Sequence, residues 1–315
     1  MPTVAFLLAP RVHLLDLAGP AQVFSTAADL GLGYTIRYTA EEDTVTTPQG
    51  VALRAETEWP DLTVGDLALV PGWRSPADRP VRTALSPRAT APLAEHHARG
   101  GTVGSVCSGA FALGQAGLLN GRSCTTHHEL QERLQRRFPR ARVVPDVLYT
   151  DDDRVVTSAG IASGIDLALY LLTQRHGPAW SARVARSMVV YARRNGDALQ
   201  ESALLRHRNH VSEVVHRVQD EIDRRFGETL PLKELADGAH VSERTLTRRF
   251  ERATGLTPLR YQQSLRVERA EQLIAAGSTV EAAAREVGFA DARMLRNLRG
   301  RPVRLRLSAV LAMGP

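Results

Sequence analysis

Residues 101–119 read GTVGSVCSGAFALGQAGLL, and the change of pattern inside this stretch decides the fold. Its first part, residues 102–106, is a short run of small and β-branched residues bounded by glycine, the signature of a buried strand. From residue 110 to 116 the run AFALGQA has helical composition. Cys107, Ser108 and Gly109 fill the junction between them. A side chain at a sharp strand-to-helix turn is held in a strained backbone conformation and presented at the top of a sheet, with glycines permitting the close packing this requires.

Working outward, further strands are expected at residues 4–8, 34–39, 67–70, 142–144 and 155–158. Helical patterns lie between them at 17–30, 89–99 and 129–138, followed by a long one from 164 to about 194. Strands alternating with helices imply a largely parallel sheet covered on both faces, a doubly wound, flavodoxin-like α/β domain. After Asn195-Gly196 the polar stretch LLRHRNHVSEVV, residues 204–215, interrupts the pattern and strand signals cease. Beyond it the reading is helical, with breaks at Gly227, Gly238, Gly255, Gly277 and Gly288. At 315 residues the chain exceeds what one core usually organises. The expected division is an α/β ligand-sensing domain over 1–195, a linker over 196–212 and an all-helical domain over 213–315.

The apolar run at residues 3–8 is short and is followed by Pro10, so it reads as a first strand and not as a leader. With no apolar stretch of about 18 residues, a soluble cytoplasmic protein without membrane contact is expected. Two cysteines, Cys107 and Cys124, make a disulfide framework and a cysteine-built zinc site untenable, and no metal or other cofactor is expected. The net charge of +6 suits an anionic partner without identifying one. His96, His97, His207 and His210 read as surface histidines and Cys124 as structural.

Between residues 232 and 250, Leu232, Leu235 and Ala236 share a helical face, a turn falls near His240, and Ser242 stands where the next helix needs an N-cap. Leu246 and Phe250 then face inward while Arg244, Thr247, Arg248 and Arg249 project outward. This places the first turns of a basic helix where a DNA major groove would receive them. A solvated arginine face gives the same local pattern. The segment RYQQSLRVERAEQLIAAG, residues 260–277, reads as one connecting helix, and residues 280–291 begin a second helix-turn-helix pattern. Repetition of the motif argues against coincidence. On these residues, with Gly255, Pro258, Tyr261, Arg266, Ala270, Leu273, Ala283-Ala284, Val287-Gly288-Phe289 and Asp291, the region from 214 to about 295 resembles the AraC/XylS regulators. That resemblance implies two helix-turn-helix units joined by one long helix. It makes Ala292, Arg293 and Arg296 the readers of the second unit. The sequence departs from the pattern near Asn297: Leu298 or Arg299 replaces the expected phenylalanine, and GRPVRLRLSAVLAMGP follows. A weakened second reading head is expected, with the arginines between 293 and 306 supplying phosphate attraction.

Cys107 itself has two readings. A thiol at a helix N-terminus is shifted toward thiolate, which suits a reactive or ligand-contacting group. A free cysteine is equally at home as a small buried apolar residue. The segments LLDLAGPAQVF (14–24), LALVPG (67–72), SVCSGAFALGQAGLLNGR (105–122), TTHHEL (125–130) and TSAGIASGIDLALYL (157–171) resemble the ThiJ/PfpI branch of the glutamine amidotransferase-like superfamily. The resemblance covers about residues 3–190. It implies that Cys107 is the elbow nucleophile, His127 the nearby histidine and Asp16 a carboxylate partner, with the amides of Gly72 and Ser108 holding an anion. Trp73 and Arg74 stand where the family usually has a further glycine, and these bulky residues are expected to reshape the pocket.

Together the resemblances imply a DNA-binding transcription regulator whose α/β domain senses a small metabolite at the cysteine elbow, acting as a homodimer on double-stranded promoter DNA. Two alternatives stay open: a cysteine-dependent hydratase or hydrolase of the isocyanide hydratase type, and a thiol redox sensor in which Asp16 stabilises oxidised Cys107.

Overall fold

A computed structural model describes residues 1–74, 85–190, 194–196, 198, 200, 206–208, 210–275 and 277–299. The chain divides into two compact units, Met1–Gln200 and Glu201–Pro315.

In the first unit β1 (Thr3–Leu8), β2 (Thr35–Ala40), β5 (Leu67–Val70), β6 (Thr102–Val106), β9 (Tyr149–Asp152) and β10 (Val155–Ser158) form one sheet in the order β2-β1-β5-β6-β10-β9. All neighbours are parallel except β9, which runs antiparallel to β10. β1 shows why its sequence is continuously apolar. Val4, Phe6 and Leu8 enter the core shared with α1 (Leu14–Ala27) and α5 (Ser163–His176), while Ala5 and Leu7 enter the opposite core with α2 (Pro87–Ala98) and α3 (Ala110–Gln115). A strand buried on both faces cannot alternate with polar residues. Helix α2 starts where Ser86 Oγ accepts the Ala89 amide at 3.2 Å and Pro87 supplies a fixed φ.

The long helix expected from 164 to about 194 is two, α5 and α6 (Pro178–Ser187), because Gly177 takes φ 82° and Pro178 cannot donate into a continuing helix. The strand expected at 142–144 is β8 (Arg142–Val143), which follows α4 (Gln131–Arg137), while its partner β7 (Ser123–Cys124) and β9 are elements the pattern had not indicated. The hairpin β3 (Thr44–Thr46) and β4 (Ala52–Arg54) is likewise additional. The surface reading of three histidines is corrected. His96, His97 and His207 are buried, their rings bonded to the carbonyls of Asp66, Asp153 and Thr254. His96 packs flat on Gly101, where a Cβ would occupy the ring itself.

The second unit contains α7 (Glu213–Arg224), α8 (Leu232–Gly238), α9 (Glu243–Thr254), α10 (Pro258–Ala275), α11 (Val280–Glu286) and α12 (Ala292–Arg299). It has two small cores. One gathers Val215, Ile222, Leu235, Leu246, Phe250 and Tyr261; the other gathers Ala270, Ala283, Ala284, Val287, Phe289 and Leu295. α10 serves both, through Tyr261 at one end and Ala270 at the other. Arg266, between them, donates to the carbonyls of Phe226 (2.6 Å), Glu228 (2.7 Å) and Gly288 (2.7 Å). Gly288, at φ 84°, lies directly against the backbone of Gly227, which no side chain would permit.

Candidate functional site

Cys107 takes φ 55° at the end of β6, a left-handed conformation that costs a non-glycine residue about 1 to 3 kcal/mol and is retained only where surroundings enforce it. The enforcement is visible. Thr126 Oγ1 donates to the Cys107 carbonyl at 2.7 Å. Gly109 lies against the Val70 carbonyl, and Gly160, at φ 118°, passes so close that a Cβ there would stand 2.5 Å from Cys107 Cβ and 2.9 Å from its sulfur. Gly72 closes another side, where a Cβ would overlap Asp16 Oδ2 and lie 2.8 Å from Cys107 Cβ. The C-terminal ends of β5, β6 and β10 thus converge on the thiol, as expected for an open parallel sheet.

Asp16, from the first turn of α1, is completely buried. Its Oδ1 accepts the Ile161 amide at 3.0 Å, while Oδ2 faces Gly72 and Cys107 with no partner in hydrogen-bonding geometry. Burial pushes this carboxyl up to about 6, against the opposing pull of Ile161, Cys107 and Gly72. The same burial drives the Cys107 thiol well above its ordinary range, and the negative charge of Asp16 drives it further. This direction opposes the shift toward thiolate expected from a helix N-terminus. The element after the elbow is a 3-10 turn, Cys107–Gly109, leading into only six helical residues, so little dipole opposes the desolvation.

Ser108 Oγ accepts the Trp73 amide at 2.7 Å and donates to the Trp73 carbonyl at 3.0 Å. Trp73 is buried in the core on the α2 and α3 side of the sheet. Its bulk fills that core, which corrects the expectation that it reshapes the pocket. Arg74 continues the backbone pairing, its amide donating to the Arg11 carbonyl. His127 precedes the turn His128–Leu130, with Nδ1 3.8 Å from Glu129 Oε2 and its ring 4.2 Å from that of His128. Cys124 is fully buried and its thiol pushed up to about 12, mainly by that burial. The positioning groups Thr126, Gly160 and Ile161 were not singled out as site residues in the sequence, although the segments 125–130 and 157–171 contain them.

A cavity of about 610 Å³ lies elsewhere, over the ends of β1 and β2 and the start of α2, lined among others by Leu7, Thr39, Glu58, Trp59 and Arg88. Cys107 does not line it.

On α9, Leu246 and Phe250 are buried, and Arg244, Arg248 and Arg249 are exposed on the other side. Ser242 Oγ caps the helix by accepting the Thr245 amide at 3.3 Å. Thr247 is half-buried and its hydroxyl donates to the Glu243 carbonyl at 3.0 Å. On α12, Ala292 packs against the second core, Arg293 is exposed, and Arg296 is paired with Glu281 Oε1 at 2.5 Å. Leu295 takes the buried position and Leu298 packs beside it. The departing tail from residue 300, with Arg301, Arg304 and Arg306, lies outside the described residues. Among the described residues no helix is long and apolar enough to cross a membrane, and no cluster of His, Cys, Asp and Glu has the makings of a metal site.

The chain belongs to the DJ-1/PfpI family, whose model matches residues 2–174, and a helix-turn-helix domain model matches residues 235–301. It is 32% identical over 181 residues to the HTH-type transcriptional regulator GbdR of Pseudomonas aeruginosa, a match covering 56% of this chain and 48% of GbdR. The HTH-type transcriptional regulator CdhR of the same species is 28% identical over 273 residues, covering 85% of this chain and 79% of CdhR. The isonitrile hydratase of Pseudomonas putida is 34% identical over 179 residues, 55% of this chain and 72% of the hydratase. The chain spans about half the length of the GbdR sequences it matches. In fold it is similar to the crystal structure of an AraC family transcriptional regulator from Pseudomonas putida, with a TM-score of 0.52 at 23% identity over 60% of this chain and all of that one.

Proposed function

We propose that this chain is a cytoplasmic, homodimeric transcription regulator that binds promoter DNA through its helical unit and senses a small metabolite at the Cys107 pocket. The observation that carries the reading is the joining, in one chain, of a DJ-1/PfpI unit to a capped helix whose exposed face presents Arg244, Arg248 and Arg249. In this reading Arg244, Thr247, Arg248 and Arg249 form the first DNA-contacting set and Ala292, Arg293 and Arg296 the second. The hydroxyl of Thr247 is already engaged within its helix, so its methyl group is what it offers a base. Cys107, His127, Asp16, Gly72 and Ser108 surround the effector. Regulation follows when the effector binds one DNA-presenting state of the dimer better than the other.

The burial of Cys107 and the upward push it gives the thiol support ligand contact over turnover or peroxide sensing, since both of those chemistries start from thiolate. The cavity bounded by Glu58, Trp59 and Arg88 favours a second location for the effector on grounds of room. Fluorescence anisotropy of the full chain against its own promoter region, with non-specific competitor at fixed salt, tests the reading. Competitor-resistant binding is expected; binding no tighter than to competitor DNA would remove it. Ligand screening with Cys107→Ser and with Arg88→Ala then assigns the effector to one location.

A further inference from the structure

Past α6 the chain is fastened back onto the two segments that shape the Cys107 pocket. The Arg194 amide donates to Asp166 Oδ1 at 3.2 Å, and its guanidinium donates to Oδ2 at 3.1 and 2.6 Å. Asp166 is a buried residue of α5, the helix entered through the Gly160–Ser163 turn beside Cys107. The carbonyls of Gly196 and Ala198 receive the Leu148 amide at 2.8 and 3.1 Å. Gly196 rests on Tyr149, where a Cβ would stand 2.8 Å from the Tyr149 carbonyl oxygen. Gln200 ends the strap: its amide donates to Asp146 Oδ1 at 3.1 Å, and its side chain donates to the carbonyls of Thr126 and Val147, both at 3.0 Å. Thr126 is the residue whose hydroxyl holds the Cys107 carbonyl. The next residues in the chain lead to α7 and the helix-turn-helix units.

We infer that Arg194, Gly196, Ala198 and Gln200 form a coupling strap that reads the state of the Cys107 pocket and passes it to the DNA-binding unit. This rests on the regulator reading and adds how that regulation is transmitted. The sign follows from space. Gly160 lies against the sulfur so closely that atoms placed there displace the 160–163 turn, which carries α5 and Asp166, while movement of Cys107 pulls on Thr126 and through it on Gln200. Both routes loosen the strap. Occupancy of the pocket therefore releases the segment that leads into the helical unit, and by reciprocity DNA binding acts back on the pocket.

The full chain is tested in two arms. In the first, amide hydrogen exchange at Leu148 and Tyr149 is compared between the parent and Cys107→Met, which puts extra atoms where an occupant would sit. Thr126→Val is the second variant should the first fail to fold. Exchange faster by about fivefold or more, the lower end of ordinary allosteric coupling, is expected, with thermal melting as the control for global loss. In the second arm, promoter affinity at fixed salt is measured for Gly196→Ala and Gln200→Leu, which open the strap without entering the pocket. A change of about fivefold or more in the same direction as Cys107→Met is expected. Unchanged exchange in both pocket variants overturns the inference. So does accelerated exchange with promoter affinity unmoved by either strap variant. A parent that binds its promoter no better than competitor overturns the regulator reading, and the inference with it, and is recognised because the parent fails before any variant is made.

Discussion

Around Cys107 the groups that shape the site are mostly backbone: the amide of Ile161, the carbonyl held by Thr126, and the bare Cα atoms of Gly72 and Gly160. Along α9 the shaping groups are side chains in water, carried by a helix whose backbone is entirely ordinary. The elbow therefore tolerates almost no added atom but depends little on which polar groups lie outside it. The exposed face of α9 tolerates any side chain structurally and, in the proposed reading, depends for its specificity on each arginine it presents. Sensitivity of stability and sensitivity of binding are thereby separated between the two regions.

The largest expected effect sharpens the elbow side. Asp16 is raised to about 6 in the fold from an ordinary carboxylate value of 3.8, so its neutral form is the one the fold favours. That contribution to stability is complete below the unfolded value and is lost as pH rises through about 6. Across roughly pH 4 to 6 it amounts to about 3 kcal/mol. Asp16→Asn is expected to abolish this part of the decline and to be the more stable protein at neutral pH. Parallel pH profiles of parent and variant in urea unfolding would break the assignment. Gly72→Ala comes next, destabilising by about 2 kcal/mol because the methyl group meets Asp16 and the Cys107 side chain. A variant as stable as the parent would mean that the pocket wall is softer than described.

On the recognition face the same measurements should be nearly silent and DNA affinity should respond. Arg248→Ala is expected to lose about 1 to 3 kcal/mol of specific binding if it reads a base, with a melting temperature close to the parent's. Uniform weakening across sequences, with a shallower salt dependence, would turn it into a phosphate contact. Arg296→Ala is expected to have the smallest effect, below about 1 kcal/mol, since Arg296 is already paired with Glu281 and must leave it to reach DNA. Equal losses at Arg248 and Arg296 would erase the distinction between the two reading heads.

Legibility followed the same division. The five parallel strands and the elbow were readable because burial on both faces leaves uninterrupted apolar runs, and because glycines flank Cys107 in sequence. β3, β4, β7 and β9 were not, being short and partly polar and held by their partners instead of their own pattern. The burial of His96 and His97 was invisible for a related reason. Their polar tips are satisfied by carbonyls of Asp66 and Asp153, about thirty or more positions away in the chain. Gln200 gave no signal either, since its partners Thr126 and Val147 lie 74 and 53 positions earlier in the chain. The exposed face of α9 was readable because a helix displays its outward side chains at regular spacing.

Arg266 reaches carbonyls from the α7–α8 connection and from Gly288, and so clamps both helix-turn-helix units to one shared axle. In the proposed reading that axle works as a gauge. Inserting a single base pair between the two stretches of DNA that the units would contact rotates one stretch by about a tenth of a turn relative to the other. The Arg266 contacts resist following that rotation, so the operator is expected to keep its internal spacing even where its bases drift.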